Sequence, residues 1–122
     1  MRVIPTQVHG MVDYLMGVVL IAAPWLLGFA DGGAAMWVPI ILGASVIVYS
    51  LLTAYELGVT PVISMSTHLI LDAIGGAILA ASPWLFQFYE AGVWIPHGII
   101  GLGEILAACM TETVPRRVTK LT

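Results

Sequence analysis

HGMVDYLMGVVLIAAPWLLGFA at residues 9–30 and HLILDAIGGAILAASPWLFQFY at residues 68–89 are two versions of one segment. Displaced by 59 residues, they place His9 on His68, Asp13 on Asp72, Gly17 on Gly76 and Pro24-Trp25-Leu26 on Pro83-Trp84-Leu85, with nine identities in 22 positions. Each is long and apolar enough to cross the hydrocarbon as a helix, which takes about 20 residues. Each is followed by another apolar run, and these runs also match, more loosely. Trp37-Val38-Pro39 corresponds to Trp94-Ile95-Pro96, and Gly43 corresponds to Gly101 after a one-residue slip. The chain therefore reads as a duplicated pair of spans.

Outward from this repeat, four spans are expected: about 8–29, 37–55, 67–88 and 94–110. Two hairpin repeats follow, at 8–56 and 67–112, within one membrane domain covering 1–122. Lipid supplies no partner for backbone N–H and C=O groups, and the runs are continuous rather than alternating, so the spans are helices. Repeats of two spans each share one orientation and are related by a pseudo-two-fold axis along the membrane normal. The expected fold is an all-α membrane protein, two parallel-repeat hairpins forming a four-helix bundle.

Composition agrees. Of 122 residues 60% are apolar and only 9% charged, with a net charge of -3 and a mean hydropathy of +1.02. An ordinary soluble domain is about 25% charged. No basic face is available for nucleic acid, and the apolar content excludes a disordered chain. The single cysteine, Cys109, excludes an intrachain disulfide framework and a multi-cysteine metal cage. The first span is too long, and runs too far past any small-residue site, for a cleavable signal peptide.

The basic residues are terminal: Arg2 at one end and Arg116, Arg117 and Lys120 at the other. The connecting loops carry only Asp31, Glu56 and Glu90. Positive-inside bias puts both termini in the cytoplasm. Trp25, Trp37, Trp84 and Trp94 flank the two outer loops, as interface anchors do.

SPWLF at 82–86, its variant APWLL at 23–27 and the two-hairpin duplication resemble the SPW-repeat family of small bacterial membrane proteins. The first copy departs from the signature, with Ala23 in place of Ser. The resemblance implies a membrane location, the bacterial inner membrane, and a duplicated hairpin; it brings no reaction and no catalytic residues.

Ionisable residues within spans are costly, by about 2.5–3.5 kcal/mol at a helix centre, so each needs a reason. His9 and Asp13 share one helix face, as do His68 and Asp72. Gly17 and Gly76 continue each stripe and permit close helix packing. At 1.5 Å per residue from Trp25, Asp13 lies roughly 18 Å and His9 roughly 24 Å from the outer interface. Four readings stay open. The leading one is that the pairs satisfy each other and fix packing, with no cofactor. The others are a metal site on the four residues, axial ligation of a non-covalent haem b by His9 and His68, and a proton or ion path.

Span four adds His97 and Glu104, two turns apart, with apolar counterparts in span two. Glu104 lies about 15 Å from Trp94, near the depth of the aspartates. It is a candidate proton carrier or third acidic ligand, whereas His97 is expected near the headgroups or the rim. Span two offers a polar stripe of Ser45, Tyr49 and Thr53, with Glu56 beyond it. Tyr49 and His97 join Glu104 as candidates for an intramembrane polar path. Pro24 and Pro83 are expected to bend or end their helices, and Cys109 to pack. No nucleotide, hydrolase or zincin motif appears. The expected function is that of a small, non-enzymatic membrane protein, an oligomer-forming or accessory subunit. Its partners are the bilayer and either its own copies or another membrane subunit.

Overall fold

A computed structural model describes residues 2–89 and 92–116. Glu90, Arg117 and Lys120, whose charges entered the orientation argument, lie outside the described residues. Four helices follow one another: α1 (Thr6–Leu26), α2 (Ala34–Leu51), α3 (Met65–Leu85) and α4 (Trp94–Met110). No strand forms among the described residues, only two isolated bridges, Ile4 with Thr111 and Thr53 with Ile63. α1, α2 and α3 are long and apolar enough to cross a membrane, and α4 is a shorter apolar helix of 17 residues. The protein is an integral membrane protein.

The first three helices begin two or three residues before the hydrophobic spans and end three or four before them. Hydropathy misses the polar first turns, Thr6-Gln7 and Ser66-Thr67, of which the second is capped by the Ser64 hydroxyl accepting from Thr67 N. At the other end Pro24 and Pro83 occupy the last turn. Their carbonyls accept from Phe29 N at 2.7 Å and Phe88 N at 2.8 Å, and the chain then leaves through Gly28 and Gln87, both at positive φ. Neither proline breaks its helix early, because a proline's clash falls on the turn before it and the last turn needs no further ladder.

The pseudo-two-fold relation extends to the backbone. Val3 N and Ile4 N donate to Met110 O, and Val62 N and Ile63 N donate to Leu52 O in the same way. The first and third helices are thus related by 59 residues, and the second and fourth by 58. Within each hairpin the helices touch through glycine. A Cβ on Gly43 would lie 2.6 Å from Gly17 O, and a Cβ on Gly101 would lie 2.5 Å from Gly76 O. Such contacts let backbones approach closely in lipid. α2 also packs on α3, but α1 and α4 are not closed against each other in the same way.

Two apolar clusters bracket the interior. Tyr55, Met65, Leu69 and Ala108 lie at the end carrying the termini, and Ala23, Phe29 and Ala35 lie at the end carrying the tryptophans. All four tryptophans are exposed at that end. Cys109 is exposed rather than packed, since it lies on the outer face of α4 next to buried Ala108.

Candidate functional site

His9, Asp13, His68 and Asp72 meet at the interior, all buried. The i, i+4 spacing aims each pair at the other repeat, and the tightest contacts run between the repeats. His9 Nε2 is 2.7 Å from Asp72 Oδ2, and His68 Nε2 is 2.6 Å from Asp13 Oδ2. The contacts within one helix are longer, at 3.1 and 3.2 Å. Nitrogen and oxygen thus alternate around a closed ring, and one ligand atom from each residue lies within 4.8 Å of all the others.

Two threonines orient the imidazoles. Thr53 donates its hydroxyl to Tyr49 O and Thr111 donates its hydroxyl to Ala107 O, each at 2.6 Å. With their protons so used, these oxygens accept from the rings: His68 Nδ1 stands 2.8 Å from Thr53 Oγ1, and His9 Nδ1 stands 2.7 Å from Thr111 Oγ1. Both Nδ1 atoms therefore carry a proton, and both Nε2 atoms face the centre of the ring. The imidazoles pack edge-on, 5.6 Å between centroids, and Tyr49 and Tyr55 pack on His68 at 5.0 and 5.4 Å. Tyr49 also donates its phenolic proton to Asp72 Oδ1.

The other polar residues are distributed differently. Glu104 does not join the ring; it lines a cavity of about 200 Å³ beside His9, Asp13 and Asp72. His97 is buried at the tryptophan end, between Phe29 and Phe88, with its nitrogens facing Val93 O and Ala35 O. It ties α4 to α2 through Ala35 O and is buried rather than facing the headgroups. The span-two stripe divides: Tyr49 and Thr53 reach the ring, whereas Ser45 is exposed and donates to its own helix at Ile41 O. Glu56 accepts from the Thr6 hydroxyl and from Arg116 N. Thr111 is the functional residue that sequence reading left in the polar tail. Its signal is the 58-residue displacement, which places it on Thr53.

The match to known proteins follows the same boundaries. The SPW repeat domain model matches residues 7–111, from the first turn of α1 to the threonine beside His9. The chain belongs to the SPW repeat family. No curated protein and no solved structure matches it. In this SPW repeat protein the signature prolines and tryptophans build helix ends, while the His–Asp ring lies about three to four turns away along the same helices.

Proposed function

We propose that this SPW repeat protein is a non-enzymatic, metal-binding protein of the bacterial inner membrane. One divalent first-row ion, of which zinc is the reference case, is held by His9, Asp13, His68 and Asp72. The observation that carries the reading is the convergence of four ligand atoms on one centre. Two hydrogen-bonded ion pairs would need only two short contacts, whereas every nitrogen here lies within 3.2 Å of both carboxylate oxygens. With Nδ1 protonated by its bond to threonine, each Nε2 offers a lone pair once it gives up the proton it shares with a carboxylate, and two carboxylates bring two negative charges. A divalent cation neutralises the set in a medium that tolerates no net charge. Metal–ligand bonds of about 2.0–2.2 Å suit this donor set, with the ring widening by a few tenths of an ångström. The threonines are then the outer partners that metal-bound histidines ordinarily have. A haem fits poorly, because the carboxylate oxygens occupy the space beside both Nε2 atoms where the macrocycle would lie.

The test is elemental analysis and Co(II) titration of protein purified in mild detergent, beside a His9→Ala/His68→Ala variant. The expected result is about one ion per chain, with Co(II) ligand-field bands that the double variant loses. Protein that takes up neither Co(II) nor Zn(II) at micromolar concentration would overturn the reading.

A second reading, association with another copy or another membrane subunit, is supported by a difference between the hairpins. On α3 and α4 an apolar groove of about 660 Å³ runs between Trp84 and Trp94. There Ala77, Ala80 and Gly98 stand where the first hairpin has Val18, Ile21 and Ile40. A helix of a second copy suits such a surface. Filling it with Gly98→Leu should shift the detergent-solubilised protein to a smaller species by light scattering; an unchanged mass would reject this reading.

A further inference from the structure

The two repeats agree at their glycine contacts, at their threonine–histidine bonds and along their backbone bridges, and they part beside the ring, one turn before each threonine. Tyr49 of α2 lies one turn before Thr53, and the residue one turn before Thr111 in α4 is Ala107. The phenol of Tyr49 fills the space between α2 and α3, packs edge-on to His68 and donates to Asp72 Oδ1. On the opposite side, between α1 and α4, no ring among the described residues takes that position. A cavity of about 200 Å³ is found there instead, lined by His9, Asp13, Met16, Ile100, Glu104 and Ala107. Asp13 is 8% exposed, and among the described residues no hydrogen bond reaches its Oδ1, the counterpart of the oxygen that Tyr49 satisfies on Asp72.

The size and surroundings of the cavity identify what fits. A dry cavity of about 150 Å³ holds a benzene ring, so about 200 Å³ accommodates one ring with a substituent or two. Val12 and Gly103 are exposed at its edge, so it opens sideways between α1 and α4 on the surface that meets lipid. Its walls are apolar apart from His9 and the carboxylates of Asp13, Asp72 and Glu104. A carboxylate oxygen that faces the cavity with no protein donor is free to accept from a ligand that brings an O–H.

We propose that this cavity binds a phenol drawn from the bilayer, its hydroxyl donating to Asp13 as the hydroxyl of Tyr49 donates to Asp72. Glu104, whose counterpart in α2 is the buried Val46, supplies a second polar contact. Rings with two hydroxyls, of the hydroquinone type, therefore bind better than rings with one. The binding does not rest on the metal reading, because Asp13 would ligate an ion through Oδ2 and accept from the phenol through Oδ1.

The experiment uses the intact protein in detergent micelles, with and without a chelator, and 4-methylphenol, hydroquinone and toluene as probes. Saturable binding is read by ligand-observed NMR and by thermal shift. The expected result is affinity for 4-methylphenol at least tenfold above that for toluene, with hydroquinone tighter still. Ala107→Tyr provides the protein's own phenol, and should abolish binding while raising the melting temperature. Ala107→Leu fills the space without a hydroxyl; it should also abolish binding, without that rise, and keeps the test decisive if the tyrosine variant fails to fold. Equal binding of toluene and 4-methylphenol, binding that survives Ala107→Leu, or no saturable binding to the wild type would each overturn the proposal.

Discussion

Asp13 and Asp72 are the same residue in two copies of one sequence, yet only Asp72 receives a phenol, and the difference lies in residues that neither aspartate adjoins in sequence. The histidines show the complementary case, in which the copies stay equal because each keeps its threonine. Replacing Thr53 or Thr111 by valine preserves shape and removes the acceptor of an Nδ1–H bond. A buried donor left without a partner costs about 1–3 kcal/mol. Each variant should therefore unfold at lower denaturant than the wild type. Outer partners of metal-bound histidines are worth roughly 10–100-fold in affinity, so each should also weaken Co(II) binding on that scale. Loss of stability with unaltered Co(II) affinity would mean that the threonines serve the fold alone. The four ring residues were legible in the sequence because the repeat preserves both pairs at one spacing. Their crossed pairing was not legible, since a histidine four residues from an aspartate can equally bond within its own helix. Thr111 was hidden by its neighbours, a polar tail that hydropathy places outside the membrane.

At the level of helices and turns, the hairpins depend on two contacts that leave no space for a side chain. A Cβ on Gly101 would lie 2.5 Å from Gly76 O and 2.6 Å from Ala80 N, so α3 and α4 would have to separate. Overpacking of this kind typically costs about 1–3 kcal/mol. Gly101→Val should lower thermal stability accordingly, whereas Gly103→Val, where nothing lies within 4 Å of the added Cβ, should not. A melting temperature lowered equally by both would argue against the close contact. The turns after the prolines support a prediction of opposite sign. Gln87 has φ 58°, and its counterpart Gly28 has φ 78°. A non-glycine residue in this region costs about 1–2 kcal/mol, part of which returns as the greater entropy glycine loses on folding. Gln87→Gly should thus stabilise the protein by about 0.5–1 kcal/mol in a denaturant titration. The existence and order of the helices follow from hydropathy, which integrates over a whole span. Their ends do not, because polar first turns and a proline-to-positive-φ exit are decided by two or three hydrogen bonds each.

Across the whole molecule, duplication accounts for stability and departures from it account for the proposed chemistry. The hairpins share their glycine contacts, backbone bridges and imidazole supports, while Ala107 and Glu104 open one side of the ring and Ala77, Ala80 and Gly98 hollow the outer face of one hairpin. The same duplication sets the polarity of the molecule. An even number of helices brings the start of α1 and the end of α4 to one side, where Arg2 donates to Ala108 O and Thr111 O and so meets the negative end of α4. The tryptophans lie at the opposite end, with Trp84 and Trp94 6.5 Å apart. Positive-inside bias favours the cytoplasm for the basic end, and we propose that orientation. In a Cys109→Ser background, Ala30→Cys should react with a membrane-impermeant maleimide on intact cells, and Thr113→Cys only after permeabilisation. Both replaced residues are exposed in the structure and stand at opposite ends of the helices. The reverse pattern would place the termini outside and bring the ring, which is nearer the basic end, within reach of ions from the exterior rather than the cytoplasm.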